Sequence, residues 1–289
     1  MKTCIKCKCD LEQNIWDCAE CGYKPKLKGG KLILSIENNE QNNIGFEDEF
    51  FDRLIKIEEN SFWFRARNKL IIWTLKNYFP NIKNFFEVGC GTGFVLSGIS
   101  NAFSMVDLYG SEGLVKGLKF ASNRVPKAIL FQMDARNIPF KEEFEVIGAF
   151  DMLEHISGDK LALEQMYKAI KPGGGLILTV PQHKFLWSKL DEFGHHFRRY
   201  SLQELKAKVE SCGFKIVRMT SFVTFLLPLF FLSRLRFQIP GSKKDNISEF
   251  NLNKYLNFLL EKVLDLERFF IKSGVSFPIG SSLLLVARK

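Results

Sequence analysis

A strand-like run that ends in one acid and three alternating glycines constrains the fold of this chain more than any other stretch. Residues 85–100 read FFEVGCGTGFVLSGIS, with Glu87 followed by Gly89, Gly91 and Gly93. The apolar residues around the acid suit a buried strand, and those after the glycines suit a helix. Because ligands of parallel α/β sheets bind beyond the carboxyl ends of the strands, this turn is predicted to lie in a binding site.

Runs of strand length and of helix length alternate through most of the remaining chain. A helix that ends before Pro80 leads into the glycine segment. The runs that follow are predicted at residues 83–88, 95–102, 105–110, 128–133, 144–150, 161–170, 175–180, 202–212, 214–221 and 283–287. This alternation predicts an α/β fold with a doubly wound sheet.

The glycine spacing does not match the two common phosphate-binding motifs. A GxGxxG count from Gly89 places Phe94 at the last glycine, and a count from Gly91 places Leu96 there. The chain also lacks GxxxxGK followed by Ser or Thr. Since an acid stands where a phosphate-binding loop keeps bare backbone, we expect a ligand with a cationic amino group. The alternative is that Glu87 only accepts hydrogen bonds from amides at the helix entry.

The pattern E-x-G-x-G-x-G resembles motif I of the class I S-adenosylmethionine-dependent methyltransferases. The resemblance continues through the segments YGSEGL, FQMDARNIPF, FEVIGAFDMLEHI and AIKPGGGLILTVP. It implies a doubly wound, seven-stranded, Rossmann-like methyltransferase sheet and S-adenosylmethionine as the cofactor.

The same resemblance implies the cofactor contacts. Glu87 is expected to bind the amino group of the cofactor, and Glu112, about 20 residues further on, to accept hydrogen bonds from the ribose hydroxyls. Asp134 is expected to face the adenine amino group, and Ala135 to offer its backbone N–H. The predicted cofactor-binding residues are Glu87, Gly89, Gly91, Gly93, Glu112, Asp134 and Ala135.

Three further segments resemble an ill-characterised branch of these methyltransferases, namely PQHKFLWSKLDEFGHHFRRYS, FWFRARN and SSLLLVARK. This similarity covers roughly residues 60–289 and does not identify the acceptor of the methyl group. The branch usually has a single His before its Arg-Arg-Tyr, whereas this chain has His195 and His196. The spacing from Asp191 favours His196 as the matching residue.

Methyl transfer from a sulfonium requires the protein to position the nucleophile, exclude water and remove a proton where the acceptor needs it. Asp191 and His196 are the preferred orienting residue and base. The alternatives are that His155 only caps the following helix and that Arg198 and Arg199 are solvated. The predicted acceptor-side residues are His155, Asp191, His196, Arg198, Arg199 and Tyr200.

Two CxxC pairs lie close together near the N-terminus. Four thiolates can bind Zn²⁺ tetrahedrally, so residues 1–28 are predicted to form a structural zinc ribbon that the metal stabilises. Cys9 is a spare thiol that could replace Cys7. The alternatives are a redox CxxC site and a disordered tail. The predicted ligands are Cys4, Cys7, Cys18 and Cys21.

A linker that begins near KPKLKGG and a lead-in helix are expected to fill residues 29–60, before a methyltransferase domain over residues 61–289. Within that domain, residues 222–279 are predicted to be a helical, hydrophobic insertion before the last strand. It contains an apolar run over residues 222–232, the bases Arg234, Arg236, Lys243 and Lys244, and then an amphipathic helix. The apolar residues of that helix are Leu252, Leu256, Leu259, Val263, Leu266 and Phe270. An apolar wedge beside bases fits the surface of an anionic membrane, and the alternative is a lid over the substrate cleft.

The net charge of +9 and the pI near 9.1 allow nucleic acid, a membrane surface or an acidic substrate as partner. Nucleic acid is the less expected partner, because no RNA-binding module is recognisable. The chain starts without an apolar stretch of signal-peptide length, so a cytoplasmic location, with peripheral contact to a membrane, is expected. The preferred function is methyl transfer to a small-molecule or lipid-linked acceptor, such as a cell-envelope glycan or an isoprenoid. The alternatives are an RNA methyltransferase that binds its substrate through the ribbon and an inactive scaffold.

Overall fold

The computed structural model describes residues 1–12, 15–35, 48–237 and 252–289. Within these ranges the strands are β1 (Lys2–Thr3), β2 (Asp10–Leu11), β3 (Lys26–Lys28), β4 (Lys31–Leu34), β5 (Asn84–Val88), β6 (Asp107–Glu112), β7 (Ile129–Met133), β8 (Phe144–Phe150), β9 (Ile170–Pro181), β10 (Lys215–Phe222) and β11 (Ser282–Arg288). The helices are α1 (Asp48–Glu58), α2 (Phe62–Tyr78), α3 (Phe94–Ala102), α4 (Val115–Arg124), α5 (Asp159–Ala169), α6 (Lys189–Phe193), α7 (Leu202–Ser211), α8 (Leu227–Phe237) and α9 (Lys254–Lys272).

Nine of the described strands form one sheet in the order β10-β11-β9-β8-β5-β6-β7-β4-β3. The six strands β9, β8, β5, β6, β7 and β4 run parallel to one another. β11 lies antiparallel to both β9 and β10, and β3 lies antiparallel to β4. The seven strands β5 to β11 confirm the predicted doubly wound, Rossmann-like sheet, with β5 at its centre. The glycine segment therefore leaves the sheet in the middle, where several strand ends can contribute to one site.

The sheet separates two apolar cores. Phe85 packs in a core with α2, α3, α4 and α9, and Phe86 packs in the opposite core with α5 and α7. Because side chains alternate along a strand, Glu87 points to the same side as Phe85. The acid is thus placed under α2, at the carboxyl end of the central strand.

The sheet has two strands more than the seven that the sequence predicted. β3 and β4 lie in the stretch that was expected to begin a linker, and this part of that prediction is wrong. β4 pairs in parallel with β7, and its last residue, Leu34, is buried in the core. Gly29 and Gly30 connect the two strands with positive φ values of 58° and 74°, which suits a tight hairpin. The run of three apolar residues in β4 was too short to be recognised as a strand.

The predicted insertion between the last two strands in sequence contains α8 and α9. α9 packs against α2 through Asn257, whose side chain accepts the Phe62 N–H at 2.8 Å, and through apolar residues on the same face. Residues 238–251, which include the predicted bases Lys243 and Lys244, lie outside the described residues. In the part of the chain that is described, no helix combines the length and the apolar character needed to cross a membrane.

Candidate active site and cysteine cluster

Within the described residues, a cavity of about 610 Å³ opens at the carboxyl ends of β5, β6, β7 and β8. Predicted cofactor residues and predicted acceptor-side residues both lie in its wall. They are Glu87, Gly89, Gly91, Glu112, Asp134, Ala135, His155, Asp191, His196 and Arg199. The structure therefore brings together, around one space, residues that are spread over more than one hundred positions of the sequence.

The glycine turn forms one side of the cavity, and its glycines have different roles. Gly89 and Gly91 have positive φ values of 74° and 53° and line the cavity. A Cβ on Gly89 would lie 2.3 Å from the Met152 side chain, whereas a Cβ on Gly91 would meet no atom within 4 Å. Gly91 thus leaves the space beside its backbone free on the cavity side. Gly89, which has no side chain, allows the turn to lie directly against Met152.

Gly93 was predicted to bind the cofactor, but it does not line the cavity. A Cβ at this position would lie 2.9 Å from the Ala121 Cα atom in α4. Its φ of 78° also requires a residue that tolerates the left-handed region. The glycine is therefore needed for close packing of the turn against α4.

Glu87 is 2% exposed, and its Oε2 atom has no hydrogen-bond partner among the described residues. Burial raises the pKa of Glu87 well above its ordinary value, and the nearby Arg67 charge only partly opposes this effect. A buried carboxyl oxygen without a donor is costly unless a ligand supplies one. The site at the end of β5 therefore fits the amino group of S-adenosylmethionine.

Glu112 and Asp134 follow Glu87 along the cavity wall. The Glu112 carboxylate accepts the Gly91 N–H at 3.0 Å and the Leu114 N–H at 3.2 Å, and burial raises its pKa. Asp134 accepts hydrogen bonds from the Arg136 side chain, the shortest at 2.6 Å. Both carboxylates are therefore held in place by hydrogen bonds. That they bind the ribose and the adenine of the cofactor stays a prediction.

At the other end of the cavity, Asp191 and His196 form the predicted pair. His196 Nδ1 lies 2.8 Å from Asp191 Oδ1, which also accepts a hydrogen bond from Arg199 Nε at 2.7 Å. Burial opposes ionisation of Asp191, but the His196 hydrogen bond and the Arg199 charge outweigh it and hold the Asp191 pKa well below its ordinary value. A fixed carboxylate on Nδ1 leaves His196 Nε2 as the ring nitrogen available for other contacts.

His155 lies against His196, with the ring centroids 4.6 Å apart in a T-shaped arrangement. Burial and the neighbouring His196 charge lower the His155 pKa to about 3, so this imidazole is neutral at physiological pH. His155 ends a short 3-10 turn, Leu153–His155, and lines the cavity. This position agrees better with the predicted acceptor-side location than with the alternative of a helix cap.

Arg198 and Tyr200 were predicted on the acceptor side, but neither lines the cavity. Arg198 lies 2.6 Å from Asp159, and the Tyr200 hydroxyl donates to the same carboxylate at 2.7 Å. Arg199 lies between them and points the opposite way, toward Asp191, because side chains alternate in an extended segment. The alternative that Arg199 is solvated is wrong, since it is buried.

Five charged residues in the described cavity wall were missed by the sequence analysis, and Glu154 and Arg67 are the two that are most informative. Glu154 is buried, and its Oε2 atom lacks a hydrogen-bond partner among the described residues. Arg67, buried in α2, forms an ion pair with Asp151 after β8. An arginine inside the apolar segment FWFRARN was a usable signal, because a charge in a buried helix face needs a partner.

All five N-terminal cysteines lie in one cluster. The Sγ–Sγ distances are 3.6 Å for Cys4–Cys21 and Cys7–Cys18, and 3.3 Å for Cys7–Cys9 and Cys9–Cys18. Thiolates at about 2.3 Å from one Zn²⁺ are separated by similar distances. The cluster fits a structural zinc ion. The four thiols that lie within 4.8 Å of one another are Cys4, Cys7, Cys9 and Cys18, so Cys9 stands beside Cys7 rather than in its place, and the predicted ligand Cys21 is the one outside this group.

The profile of a methyltransferase domain family matches residues 58–219. The bifunctional biotin biosynthesis protein BioHC of Teredinibacter turnerae is 26% identical over an alignment of 159 residues. The alignment covers 48% of this chain and 28% of that protein. The chain therefore spans less than a third of the length of this relative.

Solved structures show the same fold at low sequence identity. An S-adenosylmethionine-dependent methyltransferase from Thermotoga maritima has a TM-score of 0.53 and 15% identity, over 88% of this chain and 99% of that chain. The phosphoethanolamine N-methyltransferase 2 of Haemonchus contortus, solved with S-adenosylmethionine, has a TM-score of 0.50 and 20% identity, over 77% of this chain and 52% of that chain. With the family match and the cavity geometry, these findings lead to one conclusion: the chain belongs to the methyltransferase domain family, and it has the fold of the class I S-adenosylmethionine-dependent methyltransferases.

Proposed function

We propose that the protein methylates a hydroxyl or amino group of a small-molecule or lipid-linked acceptor. The observation that carries this proposal is a single cavity with a buried carboxyl, Glu87, at one end and the Asp191–His196 pair at the other. The first group suits the cationic end of the cofactor, and the second suits a nucleophile that must lose a proton.

The cofactor supplies a methyl group on a reactive sulfonium. Glu87 would bind its amino group, Glu112 its ribose, and the backbone at Gly91 would leave room for it. The residues of the cavity wall would chiefly position the two reactants, because an in-line displacement depends mainly on positioning.

On the acceptor side, His196 would take the proton through Nε2 while Asp191 holds Nδ1. The acceptor oxygen or nitrogen would receive the methyl group that the cofactor supplies, and its proton would end on His196. The neutral His155 ring supports this role, because it fixes the orientation of the His196 ring without adding a second positive charge.

The cavity wall near the His pair is rich in phenylalanine. Phe193, Phe197 and, from α8, Phe230 lie in it. Such a wall favours an acceptor with an apolar part, such as an isoprenoid chain, over a fully polar one. A lipid-linked acceptor would place the enzyme at the cytoplasmic side of a membrane as a peripheral protein.

The test uses purified protein and S-adenosylmethionine with a labelled methyl group. A lipid extract, an extract of small polar metabolites and total RNA are offered separately, and the labelled product is identified by mass spectrometry. We expect label in the lipid or small-molecule extract. Label confined to RNA, or absent from all three, would contradict the proposal.

The replacement His196→Asn tests the proposed base. We expect it to lower kcat about 100-fold or more, with little change in cofactor affinity, since proton removal by a positioned side chain contributes about this much. His195→Asn is the matched control, because His195 is exposed and does not line the cavity. Equal activity of the two variants would rule out His196 as the base.

A further inference from the structure

The second helix of the insertion, α9, presents its apolar side chains to solvent. The face packed against the protein consists of Asn257, Leu260, Glu261, Leu264, Glu267 and Ile271. On the opposite side, Tyr255, Phe258 and Phe269 are 77%, 62% and 62% exposed. Of the six residues predicted as the apolar face of an amphipathic helix, Leu256, Leu259, Leu266 and Phe270 are exposed as well, whereas Leu252 and Val263 are partly buried against the core. The helix was predicted, and the structure shows that its most apolar face points outward.

The three acids of α9 are directed toward the protein instead. Glu261 accepts hydrogen bonds from Arg65 and Lys69 of α2, each at 2.6 Å. Asp265 lies 3.0 Å from Arg268 in its own helix. The exposed face of α9 is therefore left without an unpaired negative charge.

Glu267 is the third acid, and it is 2% exposed. Its carboxylate accepts the backbone N–H groups of Val223, Thr224 and Phe225 at 2.6, 2.7 and 2.8 Å. These three residues lead into α8, so Glu267 joins the two helices of the insertion. This bond holds the outward face in a fixed orientation.

The start of α8 continues the apolar surface of α9 as far as the cavity. Phe225 lies 6.1 Å from Phe270 between ring centroids, and Phe231 lies 6.4 Å from the exposed Phe185. Phe230, next to Phe231, lines the cavity. The exposed apolar residues Phe185, Leu229, Phe231 and Leu232, together with those of α9, form what we call the outer apolar face.

Basic side chains lie within this outer apolar face. Lys254 Nζ lies 5.3 Å from the centroid of the Tyr255 ring, and Lys262 Nζ lies 5.3 Å from that of Phe258. Lys272 is exposed at the end of the helix. Lysines beside exposed aromatic rings are typical of surfaces that sit in the headgroup region of a bilayer, where the ammonium groups reach lipid phosphates.

We propose that the outer apolar face docks on a bilayer that contains anionic lipid, with the cavity held beside the membrane surface. A second copy of the chain is a poorer occupant. An isologous dimer over the middle of α9 would bring Lys254 of each copy toward Lys272 of the other, and the described residues of the face offer no unpaired acid to compensate, since Asp265 already lies 3.4 Å from Lys262. An anionic bilayer supplies both apolar chains and negative phosphates.

This proposal rests on the peripheral membrane location proposed above, but its test needs no methyl acceptor. Purified protein is sedimented with vesicles of phosphatidylcholine alone and with vesicles that also contain phosphatidylglycerol. We expect sedimentation with the phosphatidylglycerol vesicles at low salt, and at least about tenfold weaker binding at 0.5 M salt, because salt screens the lysine contribution. Failure to label an acceptor would thus not affect this result.

Two sets of variants locate the binding surface. Phe258→Ser combined with Phe269→Ser should weaken vesicle binding at least about tenfold, since both rings are largely exposed and leave the fold intact when replaced. Met105→Ser combined with Leu161→Ser is the matched control, because these apolar residues are also exposed but lie outside the outer apolar face. Unchanged calorimetric binding of S-adenosylmethionine verifies that every variant is folded.

Three outcomes would overturn the proposal. The first is wild-type protein that stays in the supernatant with phosphatidylglycerol vesicles at low salt. The second is equal loss of binding in the two sets of variants. The third is a wild-type dimer in light scattering that the Phe258 and Phe269 replacements convert to a monomer, which would identify a second copy as the occupant.

Discussion

The chain adds two regions to its methyltransferase sheet, and they treat their apolar residues in opposite ways. The N-terminal region buries them: Trp16 packs edge-on against Phe131 and Phe140, and Ile5 is in the core. The insertion of α8 and α9 exposes them and buries its acids. The difference indicates that the first region is an integral part of the folded protein, whereas the second presents an apolar surface that can bind a partner outside the protein.

The largest expected effect concerns the cysteine cluster. We expect elemental analysis to find about one zinc per chain, and Cys18→Ser to remove it and lower the melting temperature, because a structural zinc site supplies much of the folding energy of a small ribbon. Cys212→Ser is the control, since this thiol lies far from the cluster in sequence and in the fold.

None of the described ribbon residues lines the cavity, so affinity for S-adenosylmethionine should change less than about threefold in Cys18→Ser. Loss of cofactor binding together with zinc would contradict this prediction, because it would show that the ribbon belongs to the active site. Cys7→Ser and Cys9→Ser test which of the two thiols binds zinc. The replacement that retains zinc identifies the thiol that is not a ligand.

A smaller effect is expected beside the core that the N-terminal region joins and the insertion does not. Burial opposes ionisation of Asp159, but hydrogen bonds from Lys208, Tyr200 and Arg198 outweigh it and lower the pKa of Asp159. A carboxyl with a lowered folded pKa stabilises the protein above its unfolded pKa of about 3.9, and this contribution is lost as the pH falls through the folded pKa.

Asp159→Asn should therefore reduce the free energy of unfolding by about 2 kcal/mol at neutral pH, since the partners are partly exposed. The difference from wild type should shrink at strongly acidic pH, as measured by urea denaturation over a pH series. Glu164→Gln, which removes an exposed ion pair of the same helix, should cost less than about 0.5 kcal/mol. A difference for Asp159→Asn that grows toward acidic pH would show that the sign is wrong.

The last expected effect, similar in size to that of Asp159→Asn, is at the cofactor end of the cavity. Glu87→Gln should weaken binding of S-adenosylmethionine by about 2 kcal/mol, or roughly 30-fold, because a charge-assisted hydrogen bond contributes this much. Calorimetry measures it, with the exposed Glu192→Gln as control. Zinc content and vesicle binding should stay as in wild type, so a change in either would show that the added regions are coupled to the cavity.

The seven central strands could be predicted because buried strands leave continuous apolar runs and the glycine turn fixes where they meet. β4 could not, since its four residues gain their apolar contacts from β7, about one hundred positions away. Of the acceptor-side residues, Arg199 and Arg198 are neighbours with identical chemistry. Which of the two side chains faces the cavity depends on how the extended segment is oriented, and this orientation is set by the pairing of Tyr200 with Gln182.

The face of α9 shows a different limit of sequence analysis. Its apolar spacing predicted a helix, but a helix buries whichever face has the better partners. Arg65 and Lys69 of α2 provide those partners for Glu261, so the ion pairs and the Asn257 contact decide the orientation. Ion pairs between helices far apart in sequence carry no periodic signal.

The short hairpin of β3 and β4 also affects how the protein behaves at high concentration. Without it, the five-residue β7 would be the free edge of the sheet and could pair with the same strand of another molecule. With it, the outermost strand has three residues, reads Lys-Leu-Lys and is fully exposed. A short edge with two positive charges repels its own copy and offers few backbone groups for pairing, so this end of the sheet is protected against edge-to-edge aggregation.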